Sequence, residues 1–329
     1  RKDKPLSFLN HHLKCGDSLL GSKLKEVGIH PTVKKRLPAI DDNIYFQQQI
    51  QNAISAYQDI ERLDSDSRGV IDDKKELLDK IYETIHPYRA ICDYHTSIFC
   101  GNPVDPEDYY ETFNNFTLDF TWNGDGRPYF HFELEFPEVM INRKGFDVVV
   151  GNPPFVQLQK EGGRLASLYA KMGFQTFERT GDIYTLFYEK GIDLLKKRGL
   201  LCLITSNKWM RAGYGKKLRN YFSSKNPLLL IDCGPNVFAS AMVDTNILLV
   251  QKAANQDELK GVSLKENLNY IEKEAYISEH ASTLPNMGDG AWYIGSTAEQ
   301  NLKEKIERIG KPLKEWDVKI NYGIKTGLN

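Results

Sequence analysis

The chain has 329 residues, of which 41% are hydrophobic and 26% are charged, and its formal net charge at pH 7 is −1. This composition is ordinary for a globular protein, and the nearly neutral charge excludes a protein that binds nucleic acid through a uniformly basic surface. No apolar run approaches the roughly 20 residues of a membrane helix, and no signal-peptide core follows the first residues, so we expect no membrane partner.

The cysteines and the first residue of the sequence each support an expectation about the protein. Five cysteines are scattered without a Cys-x-x-Cys pair, which favours neither a zinc site nor a disulfide framework. We therefore expect a cytoplasmic protein without a metal. The chain begins at Arg1 and not at a methionine, so we expect an internal piece of a longer protein. We also expect that protein to be monomeric.

A short strand over residues 13–15 is the first predicted element, and it ends at Gly16 and Asp17. An acidic side chain at the carboxyl end of a strand can accept hydrogen bonds from a bound nucleoside. Alternatively, Asp17 and the neighbouring Ser18 form a turn or a helix N-cap. Both roles stay open from these residues alone.

Two long helices are predicted next, over residues 44–63 and 72–94, because apolar side chains recur there at helical spacing. Pro87 should kink or break the second helix. We interpret residues 41–100 as a helical pair inserted into an α/β domain. The alternating residues 130–137 then predict a strand, on which Glu133 and Glu135 would share a face in a structural role.

Residues 146–150 predict a strand that is buried on both faces, because most of them are apolar and favour strands. It is followed at once by Asn152, Pro153, Pro154 and Phe155. The two prolines have a fixed φ and no N–H group, so the strand cannot continue and no helix can start. An amide and an aromatic ring are thereby held where open α/β sheets bind ligands.

This corner can recognise an amino group on a planar molecule. The side-chain carbonyl of Asn152 and the backbone carbonyl of Pro153 suit an –NH2 group with two protons. Phe155 offers an apolar face on which a ring can stack. Adenine, cytosine and an amide all meet these conditions, and a turn without any chemistry is the alternative.

The next segment predicts either a mobile loop over the substrate or an ordinary surface connection, at residues 156–180. A helix follows to about residue 197, with Asp182 as its N-cap and Tyr184 in its first turn. Residues 199–205 predict a further buried strand.

The densest basic stretch of the chain begins after that strand and includes Lys208, Arg211 and Lys216. These side chains are candidates for contacts with phosphate, and a solvated helix face is the alternative. Two more strands, at residues 228–232 and 246–250, flank Phe238, which is either a stacking ring or a core residue. The composition becomes polar near residue 254, so we divide the chain into a domain at 1–254 and a linker with the start of a second domain at 255–329.

In this order, the motifs resemble the S-adenosylmethionine-dependent N6-adenine DNA methyltransferases of the Asn-Pro-Pro-Phe type, as found in type II and IIG restriction–modification enzymes. The resemblance is carried by the segments around Asp17, Asn152 and Phe238, and by residues 323–329, which are similar to the start of a Taq-type recognition domain. It implies an α/β fold with a Rossmann-like class I methyltransferase sheet that is partial at its N-terminus.

The resemblance also implies an activity and its partners. The enzyme would move a methyl group from S-adenosylmethionine to N6 of a flipped-out adenine in double-stranded DNA, within a restriction–modification system. Asn152, Pro153, Pro154 and Phe155 would be catalytic, and the methyl donor would be bound by Asp17, Ser18, Asn152, Asp182 and Tyr184. The DNA would be contacted by Phe155, Phe238, Lys208, Arg211 and Lys216.

The sequence departs from the family in one respect. The Gly-rich donor loop of these enzymes, of the form Asp-Pro-Ala-Cys-Gly-Ser-Gly, does not occur in this chain, and we expect that truncation explains its absence. Two alternatives remain: a protein glutamine methyltransferase, which also uses an Asn-Pro-Pro-aromatic motif, and a non-catalytic DNA-binding fragment. A fused nuclease would have to lie outside this chain.

Overall fold

The computed structural model describes residues 11–33, 43–63, 67–115, 128–235, 237–238, 243–264, 269–285, 288–295 and 297–318. The α-helices in these ranges are α1 (Leu24–Val27), α2 (Ile44–Arg62), α3 (Arg68–Phe99), α4 (Pro106–Asn115), α5 (Phe132–Glu135), α6 (Arg164–Tyr169), α7 (Tyr184–Leu194), α8 (Lys216–Ser223), α9 (Tyr270–His280) and α10 (Thr297–Ile309). The strands are β1 (Phe146–Gly151), β2 (Leu195–Ser206), β3 (Asn226–Gly234), β4 (Thr245–Gln251), β5 (Lys260–Ser263) and β6 (Ser282–Thr283).

These strands form one mixed sheet in the order β1-β2-β4-β3-β5-β6. β1 is parallel to β2 and β3 is parallel to β5, whereas β4 is antiparallel to both β2 and β3. The connection between the parallel strands β1 and β2 contains α6 and α7, which is the crossover that a parallel pair requires. The predicted α/β fold class is therefore confirmed.

One face of the sheet is buried beneath α7 and α8. Leu201 and Leu203 of β2 and Leu248 of β4 are at most 3% exposed. They share an apolar cluster with Tyr188 of α7 and Phe222 of α8. Burial of each such side chain contributes roughly 1.5–3 kcal/mol, so this layer fixes the two helices relative to the strands.

The opposite face of the sheet is only partly covered. Val150, Cys202 and Leu249 are aligned across three adjacent strands on this face, and Cys202 and Leu249 are half-buried. Val148 and Val150 of β1 are 52% and 74% exposed. The prediction that β1 is buried on both faces is wrong for the described part of the chain, because β1 is the last strand of the sheet there and pairs with β2 alone.

The predicted helical pair is present as α2 and α3. Ile54 and Tyr57 of α2 share an apolar cluster with Ile81 and Ile85 of α3, as their helical spacing requires. α3 continues through Pro87, so the predicted break does not occur. The missing N–H of a proline removes one helical hydrogen bond, and the buried side chains on either side of Pro87 offset that loss.

Two predicted strands do not form. Residues 13–15 are irregular, and the nearby backbone pairing is an isolated bridge between Asp17 and Tyr129. The alternating residues 130–137 contain the short helix α5, because distant partners fix both acidic side chains. Glu133 Oε2 accepts the Leu24 N–H at 2.6 Å, and the buried Glu135 forms ion pairs with Lys14 and Arg89.

The sheet continues beyond residue 254. Leu259, Leu284 and Trp292 belong to the same apolar cluster as the buried face of β2 and β4, so the segment after the proposed boundary packs on the sheet. The division at residue 254 stays a prediction. The similarity to a recognition domain at residues 323–329 lies outside the described residues. Among the described helices, none is long and apolar enough to cross a membrane.

Candidate active site

The strand register brings several predicted site residues to one end of the sheet. Gly151 at the end of β1 is opposite Leu203, three residues before β2 ends at Ser206. Ser206 is paired with Thr245 at the start of β4, and Thr245 is paired with Gly234 at the end of β3. The segments that follow β1, β2 and β3 therefore meet at this end, which we call the site edge.

Asn152, Pro153, Pro154 and Phe155 form the corner at which the chain leaves β1. Asn152 is exposed, Pro153 is buried and Phe155 is half-buried. The exposed amide is accessible to a ligand, while the buried proline anchors the corner. Its aromatic residue packs against the cluster that includes Tyr184 and Trp209.

Asp182 holds the segment that follows this corner. Its Oδ1 accepts the Val156 N–H at 2.9 Å, and the Ile183 N–H donates back to the Val156 carbonyl at 2.9 Å. The Leu158 N–H adds a bond to the Gly181 carbonyl at 3.0 Å. A short antiparallel connection thus joins the residues after Phe155 to the start of α7. The sequence did not predict this contact, since 26 residues separate its two partners.

Burial raises the pKa of the Asp182 carboxyl, while hydrogen bonds from backbone N–H groups, including that of Val156, oppose the shift. The carboxylate accepts these bonds most strongly when it is ionised. Asp182 therefore has a structural function at the site edge, and its predicted contact with a methyl donor stays a prediction.

Two aromatic rings lie beside that of Phe155. Its ring centroid lies 6.1 Å from that of Tyr184 with the planes at 85°, and 6.2 Å from that of Phe238 with the planes at 65°. The Tyr184 hydroxyl is 2.8 Å from the Tyr214 hydroxyl. Burial raises the pKa of both phenols, so they remain neutral at physiological pH. The structure therefore brings the predicted pair Phe155 and Phe238 together, and it adds Tyr184 beside Phe155 and Tyr214 beside Tyr184.

Asp17 and Ser18 are placed by a different contact. The Asp17 N–H donates to the Pro128 carbonyl at 2.9 Å, and Asp17 Oδ1 accepts the Leu19 N–H at 3.0 Å. Leu19 shares an apolar cluster with Ile183, which immediately precedes α7. The Asp17 segment therefore packs against the same segment that carries Asp182.

Glu189 is a residue of the site region that the sequence analysis missed. It is 6% exposed, and its carboxylate accepts the Gln175 N–H at 3.0 Å and the Thr176 N–H at 2.8 Å. It thereby fastens the end of the connecting segment 156–180 to α7. This segment also contains the helix α6, so it is partly ordered by its own structure. Lys190 follows Glu189 directly, so the local sequence does not distinguish this carboxylate from a surface residue.

The predicted basic residues follow the end of β2, and all three are exposed. Lys208 lies in the 3-10 turn Asn207–Met210. The Arg211 guanidinium lies 6.0 Å from the Tyr293 ring centroid, and Lys216 Nζ is 3.2 Å from the Asp289 carboxylate. Exposed ion pairs of this kind contribute about 0–1 kcal/mol, so Lys216 can exchange Asp289 for another anion.

A methyl donor of the nucleoside type fits part of this arrangement. Asp17 is half-buried, and its carboxylate accepts the Leu19 N–H. The exposed Asn152 amide and the ring of Phe155 complete a polar and aromatic surface at the site edge. These residues could hold the adenosine part of the donor.

Comparison with known proteins identifies a family that part of the chain matches. Residues 91–238 match the Eco57I restriction-modification methylase family. This range contains the Asn152–Phe155 corner, Asp182, Tyr184, the basic residues and Phe238, and it excludes Asp17.

Among curated relatives, the chain is 36% identical over 208 residues to the type II methyltransferase M.BstVI of Geobacillus stearothermophilus, covering 56% of this chain and 36% of the relative. It is 36% identical over 209 residues to the type II methyltransferase M.XhoI of Xanthomonas vasicola, covering 55% and 36%. It is 27% identical over 193 residues to the type II restriction enzyme and methyltransferase RM.Eco57I of Escherichia coli, covering 56% and 19%. The chain therefore spans between 19% and 36% of the length of these three relatives.

Among solved structures, the chain is similar to the type IIG restriction endonuclease BpuSI, with 16% identity and a TM-score of 0.33 over 49% of this chain and 20% of that one. The α/β fold is assigned from the order and direction of the strands and not from this similarity.

Proposed function

We propose that the protein transfers a methyl group from S-adenosylmethionine to N6 of adenine in double-stranded DNA, and the match of residues 91–238 to the Eco57I restriction-modification methylase family supports this proposal. The observation that carries the proposal is the Asn152–Phe155 corner at the site edge, with the Phe238 ring beside that of Phe155. The exposed amide offers an acceptor for an amino group, and the neighbouring rings offer surfaces for a planar base.

The side chain of Asn152 and the backbone carbonyl of Pro153 have the principal role in this chemistry. Each accepts a hydrogen bond from one N–H of the adenine amino group. These two bonds turn the nitrogen lone pair towards the methyl group. When bound, S-adenosylmethionine supplies a methyl group on a sulfonium. Transfer of that methyl group to the adenine nitrogen would leave the donor as a neutral thioether, and the nitrogen would release one proton to solvent. The two carbonyl oxygens stabilise the positive charge that develops on the amino group.

The target adenine must leave the DNA helix to reach Asn152. Unstacking a base costs a few kcal/mol, and stacking on an aromatic side chain returns about 1–3 kcal/mol. Phe155 and Phe238 supply such rings, and one of them must turn to admit a base because they now meet edge to face. Exposed Lys208, Arg211 and Lys216 supply positive charge for the DNA backbone near the same edge.

Asp182 supports this mechanism indirectly. Its carboxylate fixes the backbone immediately after Phe155, so the ring and the Pro153 carbonyl keep their positions relative to α7. It is a positioning residue in this scheme, because it contacts the protein backbone and not the reacting atoms.

The test uses the protein with tritiated S-adenosylmethionine and double-stranded DNA, followed by digestion and identification of the labelled nucleoside. We expect label in N6-methyladenine, and none with Asn152→Ala, whose folding is verified by its unfolding curve. Label in a protein glutamine would show that the substrate is a protein and not DNA. Equal turnover by Asn152→Ala and the unmodified protein would contradict the mechanism.

A further inference from the structure

A second group of potential ligands lies where residues 11–12 meet the C-terminal end of α2. His11, His12 and Glu61 each offer one nitrogen or oxygen atom, and these three atoms lie within 4.8 Å of one another. None of these residues belongs to the site edge. Two imidazoles and one carboxylate form a donor set that is common in protein metal sites.

The three side chains differ in how firmly they are held. His11 is 5% exposed, and its ring lies 3.8 Å from that of His12 and 6.5 Å from that of Tyr57. The side chains of His12 and Glu61 are 47% and 54% exposed, with His12 Nε2 3.8 Å from Glu61 Oε1. His11 therefore provides a fixed ligand, while His12 and Glu61 can rotate towards it.

The surroundings supply polar atoms and negative charge. In the described part of the chain, neither the Tyr57 hydroxyl nor Glu138 Oε2 has a hydrogen-bond partner, although both atoms are buried. Tyr57 is 3% exposed and stacks with His11, and Glu138 is close enough to Glu61 to interact with it electrostatically. Buried polar atoms without partners are costly, and a bound ion with its water would satisfy them.

Two lysines lie near this group, since Lys14 and the buried Lys74 both interact electrostatically with His11. Lys14 lies close to Tyr57, with Nζ 5.8 Å from the ring centroid, but it is paired with Glu135 at 3.5 Å. Glu61 and Glu138 add two carboxyl groups to this region. The local field therefore does not exclude a divalent cation.

We propose that His11, His12 and Glu61 bind a zinc ion. Zinc bonds of about 2.0–2.2 Å in a tetrahedral site place ligand atoms roughly 3.4 Å apart, so the exposed ligands must move inwards by about 1 Å. A water molecule takes the fourth position. Imidazole favours zinc, whereas magnesium and calcium prefer sites made of oxygen atoms.

The ion would join two separate parts of the chain. His11 and His12 precede the segment that carries Asp17, and Glu61 lies in the last turn of α2. Zinc would thus fix the approach of residues 11–17 to the helical pair. The scattered cysteines predicted no metal, but a site of two histidines and a glutamate does not require a cysteine.

The experiment measures binding of zinc chloride to the metal-free 329-residue chain by titration calorimetry in a buffer that does not chelate metals. We expect one zinc ion per chain. His12→Ala and Glu61→Gln should each weaken the affinity at least tenfold. His86→Ala is the matched control, because His86 is an exposed histidine on α3, and it should leave the affinity unchanged.

A second measurement separates this site from adventitious binding. Zinc should raise the melting temperature of the unmodified chain and of His86→Ala, but not that of Glu61→Gln, because only a ligand of the folded state stabilises it. Both mutated ligands are exposed, so the variants are expected to fold. Absence of stoichiometric binding, or equal affinities for Glu61→Gln and His86→Ala, would overturn the proposal, whatever the outcome of the methyl-transfer assay.

Discussion

The rings of Phe155 and Phe238 meet edge to face, with their centroids 6.2 Å apart and their planes at 65°. A base stacked between two parallel rings needs a separation of about 7 Å, twice the spacing of roughly 3.4 Å between stacked bases. The space between the two rings is therefore closed to a base in this conformation. Entry of adenine requires at least one ring to turn. Phe155 precedes Val156, whose N–H is bound by Asp182, so we expect the ring of Phe238 to turn.

Phe238→Ala tests this arrangement. Loss of one stacking surface worth about 1–3 kcal/mol should lower kcat/KM for duplex DNA by roughly five- to 150-fold. A duplex with a mismatch at the target adenine should suffer less, because its base is already partly unstacked. Phe238→Tyr, which keeps the ring, is the control. An equal loss for matched and mismatched DNA would indicate that Phe238 serves only as packing.

Asp182→Ala should reduce both stability and turnover, because the Val156 N–H loses its acceptor. An unsatisfied buried donor costs about 1–3 kcal/mol, which urea unfolding would detect. Turnover should fall more than substrate affinity, since the variant displaces the Asn152–Phe155 corner. Asp182→Asn retains one oxygen acceptor and should recover most of both properties. If Asp182→Asn is as impaired as Asp182→Ala while both fold, the negative charge itself is needed.

Lys208→Ala should weaken DNA binding at every sequence to a similar extent. Removal of one phosphate contact should reduce the slope of log affinity against log salt by about 0.9. Fluorescence anisotropy over a range of salt concentrations measures this slope. Lys197→Ala is the matched control, since Lys197 is an exposed lysine near the opposite end of β2. Equal slopes for the two variants would place the DNA elsewhere.

His95 gives the protein a defined dependence of stability on pH. It is 3% exposed, its Nδ1 is 2.6 Å from Ser22 Oγ, and burial lowers its pKa from 6.5 to about 4. The unfolded chain therefore binds a proton between pH 6.5 and 4 that the folded chain does not. The stabilising contribution is complete above pH 6.5 and is lost as the pH falls to about 4, by up to roughly 3 kcal/mol.

Urea unfolding at pH 7 and pH 4.5, with a chelator present, measures this loss. His95→Asn should show a smaller difference between the two pH values than the unmodified chain. His86→Asn, on the exposed side of the same helix, should behave like the unmodified chain. An unchanged pH dependence in His95→Asn would show that other groups cause it.

Local patterns were sufficient to predict much of the fold. Residues 44–63 were expected to be helical and α2 spans Ile44–Arg62, because its apolar spacing matches both the helix and its buried face. The strand expected at 199–205 lies within β2. The Asn152–Phe155 corner was predictable too, since two prolines end a strand in any context.

The remaining features depend on contacts between distant residues. Alternation at residues 130–137 predicted a strand, but the side chain of Glu135 is held by Lys14 and Arg89 within a short helix. The bond between Asp182 and Val156 and the fastening of Thr176 by Glu189 join separate segments, and no local pattern distinguishes them from surface polar residues. Sequence analysis predicted the corner that ends β1, but not the side chains that hold it in place.

The incompletely covered β1 has a consequence for the chain in solution. Among the described strands only β2 pairs with β1, so its outer backbone and the exposed Val148 and Val150 can recruit another strand, as unprotected sheet edges do in aggregation. Asp147, paired with Arg143 and Lys196, protects only the first half of the strand with charge. We therefore expect the chain to self-associate through β1 at high protein concentration. A solubilising fusion partner or a low concentration should prevent this aggregation.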